Sequence, residues 1–320
     1  MIAVEKGEAT MTLIERQPQA IAKQAELQAF YARFIAYLDA KPRTVQTYNS
    51  ALRQFFTYLA TEGIQQPQRD HILAYRDNLL TRTKPTTVQA YMVAIRLFFR
   101  WTAQEGLYPD IADKIKGAKL NSKRHKRDAL TAEQVRAILQ AINQDSPQGR
   151  RDYAIVALMV TGGLRDIEVV QASIEDLRQG PGGTVLYIQG KGWDSKDEYI
   201  SIPLPVETAI RAYLAARGQL DGKAPLFASA SNNSQGQRLT TRSISAIVKG
   251  HMKAAGYDSE RLTAHSLRHT AGTLNLLNGG TLQETQQLLR HSNINTTMIY
   301  LHNLERAANR SEQRIAAAIF

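Results

Sequence analysis

The sequence predicts a mainly α-helical chain with a small β-hairpin, divided into an all-helical N-terminal domain and a mixed α+β C-terminal domain. Three observations predict this. One helical segment occurs twice near the start; a basic stretch with few apolar residues interrupts the middle; and only two short runs, between 184 and 203, alternate as strands do. A chain of 320 residues has room for two separate cores.

Residues 1–24 are polar and weakly patterned, which predicts a flexible leading segment in which Met11 is an alternative start. A helix is expected at about 26–40. The repeat follows: Lys41–Ile64 and Lys84–Leu107 are identical at 13 of 24 positions when offset by 43. Each copy opens with Lys-Pro and closes with Glu-Gly, the signals of a helix start and stop. Val45, Tyr48, Leu52, Phe55, Phe56 and Leu59 recur at helical spacing, echoed by Val88, Tyr91, Ile95, Phe98 and Phe99, and such periodicity marks core. With a further helix at 68–82 these make an all-α domain over 25–115. Arg43, Thr44, Gln46, Lys84, Thr86, Thr87 and Gln89, at the polar starts of the copies, are types that reach phosphates or base edges from a helix N-terminus; a solvated face is the plainer reading of each. A linker over 116–128 carries Lys123, Arg124, Lys126 and Arg127, a run that is either solvated or laid along a polyanion.

The second domain is expected over 129–320. Thr131-Ala132-Glu133-Gln134 has the form of a capping box, and a buried helix at 151–160 ends at Thr161-Gly162-Gly163. Leu164-Arg165-Asp166-Ile167-Glu168 begins the next helix, with Glu168 spaced to hold Arg165 by a salt bridge. Gly180–Gly183 is a turn; Thr184–Gln189 and Glu198–Pro203 form the hairpin, with Lys191 between glycines at the end of its first strand. Helices are expected at 205–217, 240–255 and 281–290. Between Thr263 and His302 lie His265, Arg268, His269, His291 and Tyr300. His265 and Arg268 are one helical turn apart, and a turn at Asn278-Gly279-Gly280 folds the next helix back to bring His291 near. Tyr300 follows a polar stretch, Asn293–Thr297, expected to swing. Asn303–Phe320 reads as one more helix, with Leu304, Ala307, Ala308, Ile315 and Ala316 as its apolar stripe.

Composition narrows the chemistry. Lys+Arg number 40 against 29 Asp+Glu, a net charge of +11 that favours a polyanionic partner. No long basic amphipathic helix points to a membrane surface instead. The absence of cysteine excludes disulfides and Cys-based zinc sites. No signal-peptide order is present, and the longest apolar run, Tyr153–Val160, is too short to span a bilayer, so a soluble intracellular protein is expected. Two arginines clamp a phosphodiester through planar forks of donors. A phenol, with a pKa near 10, becomes a nucleophile only with positive charge and a base beside it. The set Arg165, Arg268, imidazoles and Tyr300 thus points to phosphoryl transfer through a covalent phosphotyrosine, against the bland reading of surface histidines and a half-buried aromatic.

Over about residues 25–310 the chain resembles the tyrosine recombinase (phage integrase) family. The matching residues are Arg165 in G-L-R-D-I-E, Lys191 in G-K-G, His265 and Arg268 in H-S-L-R-H-T, His291 in L-L-R-H-S and Tyr300 in T-T-M-I-Y-L-H. The resemblance implies a SAM-like core-binding domain and a catalytic domain closing on double-stranded DNA, and a homo-tetramer on two recombination sites with the helix after Tyr300 docked on a neighbour. It implies a cytoplasmic, nucleoid-associated enzyme of a bacterium, phage or mobile element, Xer-like or an integrase without an arm-binding domain. The roles implied are these: Arg165 and Arg268 grip the scissile phosphate, and Tyr300 attacks it to leave a 3′-phosphotyrosyl link. His265 assists proton removal, Lys191 protonates the 5′-oxygen, His291 adds a hydrogen bond and Glu168 orients the site. Arg242 joins the residues expected on DNA. Neither metal nor cofactor is expected, because the covalent link keeps the phosphoester energy. Two departures stand out. Arg290 occupies a position where the family usually has glycine, and Trp193–Lys196 lengthens the hairpin, making Lys196 a competitor for the lysine role. Integration or excision of a mobile element is the expected task, with Xer-type dimer resolution, a type IB topoisomerase and a non-catalytic DNA-binding regulator as alternatives.

Overall fold

The structure, a computed structural model, describes residues 29–119, 128–190, 195–218 and 220–320. The chain divides into two compact units, Met1–Asn121 and Ser122–Phe320. Lys123, Arg124, Lys126, Arg127 and Lys191 lie outside the described residues.

Among the described residues the first unit has four helices: α1 (29–38), α2 (Pro42–Thr61), α3 (Arg69–Arg82) and α4 (Pro85–Gln104). The two repeat copies are α2 and α4. Each starts with proline in its first turn, where a missing N–H costs nothing, and each is followed by a left-handed glycine, Gly63 at φ 66° and Gly106 at φ 68°. The copies pack on each other crosswise. Phe55 meets Phe99 with ring centroids 6.1 Å apart and Phe56 meets Phe98 at 5.3 Å, while the repeat offset equates Phe55 with Phe98 and Phe56 with Phe99. Phe34, Leu52, Phe55, Ile72, Tyr75, Ile95 and Trp101 form the core. Phe56 departs from expectation at 42% exposed, because it follows Phe55 at 100° around the helix and so sits at the edge of the stripe that faces inward.

The second unit wraps helices around α6 (Pro147–Gly162), whose residues Ala154–Val160 are all buried. Before it comes α5 (Ala132–Gln140), opened by the expected capping box, in which the Thr131 hydroxyl accepts the Gln134 N–H at 3.2 Å and the Gln134 side chain accepts the Thr131 N–H at 2.9 Å. After it come α7 (Asp166–Gln171), a sheet, and α8 (Leu204–Arg217), α9 (Thr241–Ala254), α10 (Ala264–Leu277) and α11 (Leu282–Leu289). The sheet has three antiparallel strands in the order β1 (Leu177–Gly180), β2 (Gly183–Ile188), β3 (Glu198–Ser201), one more than the hairpin expected. Leu-Arg-Gln-Gly has one apolar residue and no alternation, so β1 gives no strand signal of its own; it forms because the 180–183 turn lays it against β2.

The region around Tyr300 also departs from expectation. A helix begins within Asn293–Thr297. The Asn293 side chain accepts the Asn295 N–H at 2.9 Å and its carbonyl accepts the Thr296 N–H at 3.0 Å, so it opens a helix, α12 (Ile294–Ala308), that carries Tyr300. The helix expected over 303–320 is consequently split. Asn309 accepts the Ser311 N–H at 2.8 Å and starts α13 (Ser311–Ile319), which has no buried residue. Among the described residues no helix is long and apolar enough to cross a membrane.

Candidate active site

The site is built on the turn between α6 and α7. Gly163 ends α6 at φ 57°, and a Cβ there would stand 2.9 Å from Leu289 of α11, so only glycine lets the two elements close. Arg165 is the residue immediately ahead of α7, and Glu168, one turn on, is fully buried. One carboxylate oxygen of Glu168 accepts the Arg165 guanidinium at 2.6 Å, and the other accepts the Arg165 backbone N–H at 2.8 Å and the Arg290 guanidinium at 2.9 Å. Burial alone would raise the Glu168 pKa. The Arg290 charge, the Arg165 N–H and the Arg165 charge outweigh it and hold the carboxyl below its ordinary value.

The helix α10 supplies the second arginine. Arg268 is 1% exposed, donating to Gly163 O at 2.6 Å and to Leu289 O. Burial pushes its pKa down to about 9, with Arg165 and Arg290 adding to the fall, which still leaves it charged at neutral pH. His265, one turn earlier, is exposed, so of the two only the histidine meets solvent. It lines an open groove of about 670 Å³ with Arg242, Lys249, Ser245 and Asp166.

Tyr300 reaches this centre from α12. Its ring lies on α10 at Gly272, where a Cβ would come within 3.1 Å of the Tyr300 ring and 2.9 Å of Leu289. The ring is 3% exposed and its hydroxyl is 2.7 Å from Nδ1 of His269, itself buried. The His291 ring stacks 6.4 Å away, fixed by a 2.9 Å hydrogen bond between Nδ1 and the buried Thr297 hydroxyl. Burial pushes the Tyr300 pKa up to about 12, against the pull of the Arg268 and Arg165 charges, which are near enough to lower it. The arrangement gathers two guanidinium groups, that of Arg268 buried and that of Arg165 partly exposed, beside a phenol already paired with an imidazole. Among the described residues no group of three or more His, Asp or Glu side chains is placed to hold a metal ion.

The sequence model of the phage integrase family matches residues 128–306, more than half of the chain, and the N-terminal SAM-like domain of phage integrases matches residues 30–106. The chain belongs to the phage integrase family. It is 36% identical over 177 residues to tyrosine recombinase XerC of Caldanaerobacter subterraneus subsp. tengcongensis, covering 54% of this chain and 46% of that protein. It is 36% identical over 184 residues to tyrosine recombinase XerD of Xanthomonas axonopodis pv. citri, covering 54% and 57%. The chain thus spans about half the length of the curated relatives it matches. Its fold is that of the XerH site-specific recombinase in a post-cleavage complex with palindromic difH substrate, with a TM-score of 0.68 at 22% identity, over 86% of this chain and 79% of that one.

Arg165, Glu168, His265, Arg268, His291 and Tyr300 all lie in the second unit, on or beside α7, α10, α11 and α12. Lys196, the competing lysine, pairs with the buried carboxylate of Asp176. In the first unit Arg43, Gln46, Lys84 and Thr86 are exposed, whereas Thr44, Thr87 and Gln89 are half-buried and Gln89 lies against Gly117. Two site residues were not assigned a role from sequence. His269 carries a legible signal, the i, i+4 spacing from His265 on one helix. Arg290 is visible only as a departure from family pattern, since its contacts depend on a backbone conformation no sequence spacing reveals.

Proposed function

We propose that the protein is a site-specific recombinase that cuts and rejoins double-stranded DNA through a 3′-phosphotyrosyl link on Tyr300 and a Holliday junction. The observation that carries this is the convergence of Arg165, Arg268 and Tyr300 around the α6–α7 turn, the phenol already hydrogen-bonded to a buried imidazole. In the reaction Arg165 and Arg268 bond the non-bridging oxygens of the scissile phosphate; Arg268 exchanges neutral carbonyl acceptors for a charged one, a stronger set of bonds. His269 Nδ1, 2.7 Å from the hydroxyl, takes the phenolic proton in place of His265, the residue expected from sequence, as the Tyr300 oxygen bonds to phosphorus and the bond to the 5′-oxygen breaks. Lys191 gives that oxygen its proton, and the engagement of Lys196 with Asp176 supports this division of roles. His265, exposed beside the Arg242 groove, and His291 hydrogen-bond phosphate oxygens, while Glu168 orients Arg165. A 5′-hydroxyl from another strand reverses the steps.

Residues 25–115 serve as the core-binding domain, with Arg43, Thr44, Gln46, Lys84, Thr86, Thr87 and Gln89 toward DNA; 116–128 is the linker and 129–320 the catalytic domain. The exposure of Ile315, Ile319 and Phe320 on a helix with nothing buried supports a tetramer in which α13 docks on a neighbouring subunit. Two cellular tasks fit this chemistry: mobile-element integration or excision, and dimer resolution, which identity to XerC and XerD favours. The test uses nicked duplexes with randomised arms, recovered when they become attached to protein in SDS and EDTA. The wild-type protein is expected to form the adduct and Tyr300→Phe to form none; adduct from the phenylalanine variant would refute the assignment.

A further inference from the structure

Arg290 follows the last residue of α11 at φ 50° and ψ 51°, a left-handed conformation that glycine adopts freely and a larger residue adopts under strain. Its side chain does not turn to water. It is 7% exposed and runs back beneath the α6–α7 turn. One terminal nitrogen donates to Leu288 O at 2.6 Å and Gly162 O at 3.3 Å, the other to Gly163 O at 3.0 Å and Glu168 at 2.9 Å. Its Nε is buried without a hydrogen-bond partner. Closing a helix end requires none of this, since a backbone hydrogen bond suffices. What the side chain reaches is the set of groups that hold the other two arginines. Gly163 O also seats Arg268, Glu168 also grips Arg165, and the Arg290 carbonyl accepts from Arg165 at 3.4 Å.

We infer that Arg290 is a positioning residue for strand cleavage, sharing Glu168 with Arg165 and fixing the Gly162–Gly163 carbonyls so that both catalytic arginines are poised for phosphate. The inference rests on the functional reading above. A buried carboxylate with a single counter-ion would close on Arg165 through both oxygens and hold it back. A second guanidinium divides that charge, so Arg165 leaves for a phosphate oxygen more readily. The cluster then has three guanidinium groups to one carboxylate, an excess of positive charge that an arriving phosphodiester relieves.

Single-turnover adduct formation on the captured duplexes tests this, beside DNA binding measured separately. R290G is expected to cleave about 10–100-fold more slowly at saturating DNA with affinity nearly unchanged. R290K keeps the charge without the fork and falls between. Adding E168Q to R290G recovers part of the loss, because it removes the carboxylate left with Arg165 alone. Wild-type rates in R290G, a defect confined to DNA affinity, or losses from R290G and E168Q that simply multiply would overturn the inference. If R290G does not fold, R290K with and without E168Q carries the same comparison. No adduct from the wild-type protein would overturn the functional reading instead.

Discussion

The hydrogen bond between His269 and Tyr300 leads to the most exacting prediction. With its pKa at about 12, the phenol is ionised in roughly one molecule in 10⁵ at pH 7, equivalent to about 7 kcal/mol that an unassisted attack must supply. The positive charges of Arg165 and Arg268 already act on that value, so the remainder falls to a base. His269 Nδ1, 2.7 Å from the hydroxyl, is in place to be that base. His269→Asn puts an amide oxygen close to the position of Nδ1, so a hydrogen bond survives but no proton can be taken. Single-turnover cleavage is expected to fall by about 10²–10³-fold at pH 7, with DNA binding unchanged. The pH dependence is the sharper readout. The variant's log rate should climb with unit slope between about pH 6 and 9, as hydroxide replaces the imidazole, while the wild-type rate should depend less steeply on pH. A variant with wild-type rate and profile would show that the contact belongs to the resting protein alone, and the reasoning would fail.

Four further outcomes follow from the same structure. Because the folded-state pKa of Tyr300 is raised from 10 to about 12, the stability it confers is present below pH 10 and lost as pH rises toward 12, by roughly 3 kcal/mol; urea unfolding of wild type against Tyr300→Phe on either side of pH 10 should show the difference vanish in the variant. Glu168→Ala leaves the Arg165 and Arg290 charges without their shared partner and should cost about 3–5 kcal/mol. Since the Glu168 carboxyl titrates below its ordinary value, its contribution holds above an unfolded value of 4.5 and disappears as pH falls through the folded pKa, so the melting temperature of Glu168→Gln should depend less on acid than that of wild type. Ending the chain at Arg310 removes a helix with no buried residue; the monomer should keep its stability within about 0.5 kcal/mol, while sedimentation with DNA should show loss of the tetramer proposed above.

The helices were legible where local chemistry and tertiary packing agree. Pro42 and Pro85 mark starts, Gly63 and Gly106 mark stops, and the apolar stripe between them faces the core. The mainly helical class with a small antiparallel sheet, and the family, were legible on the same terms. β1 was not, because its pairing is imposed by a neighbour rather than by alternation. The start of α12 was not legible for a related reason. Asn-Ile-Asn-Thr-Thr has the composition of a loop, yet one asparagine caps the helix and Thr297 is buried against His291, so two polar residues are consumed by contacts that spacing does not reveal. His265 and Arg268 were placed on one face, but their burial diverges because α10 turns the arginine toward Gly163 and the histidine toward the groove.

The crosswise pairing of Phe55 with Phe99 and Phe56 with Phe98 is the signature of two near-copies meeting about a local dyad, as subunits do in a symmetric dimer. A surface that recognises its own duplicate within one chain presents the same invitation to every other copy in solution. In refolding at high concentration α2 of one molecule is expected to meet α2 of another through part of the face its own α4 covers, a route to entangled dimers that sizing of the refolded protein would reveal.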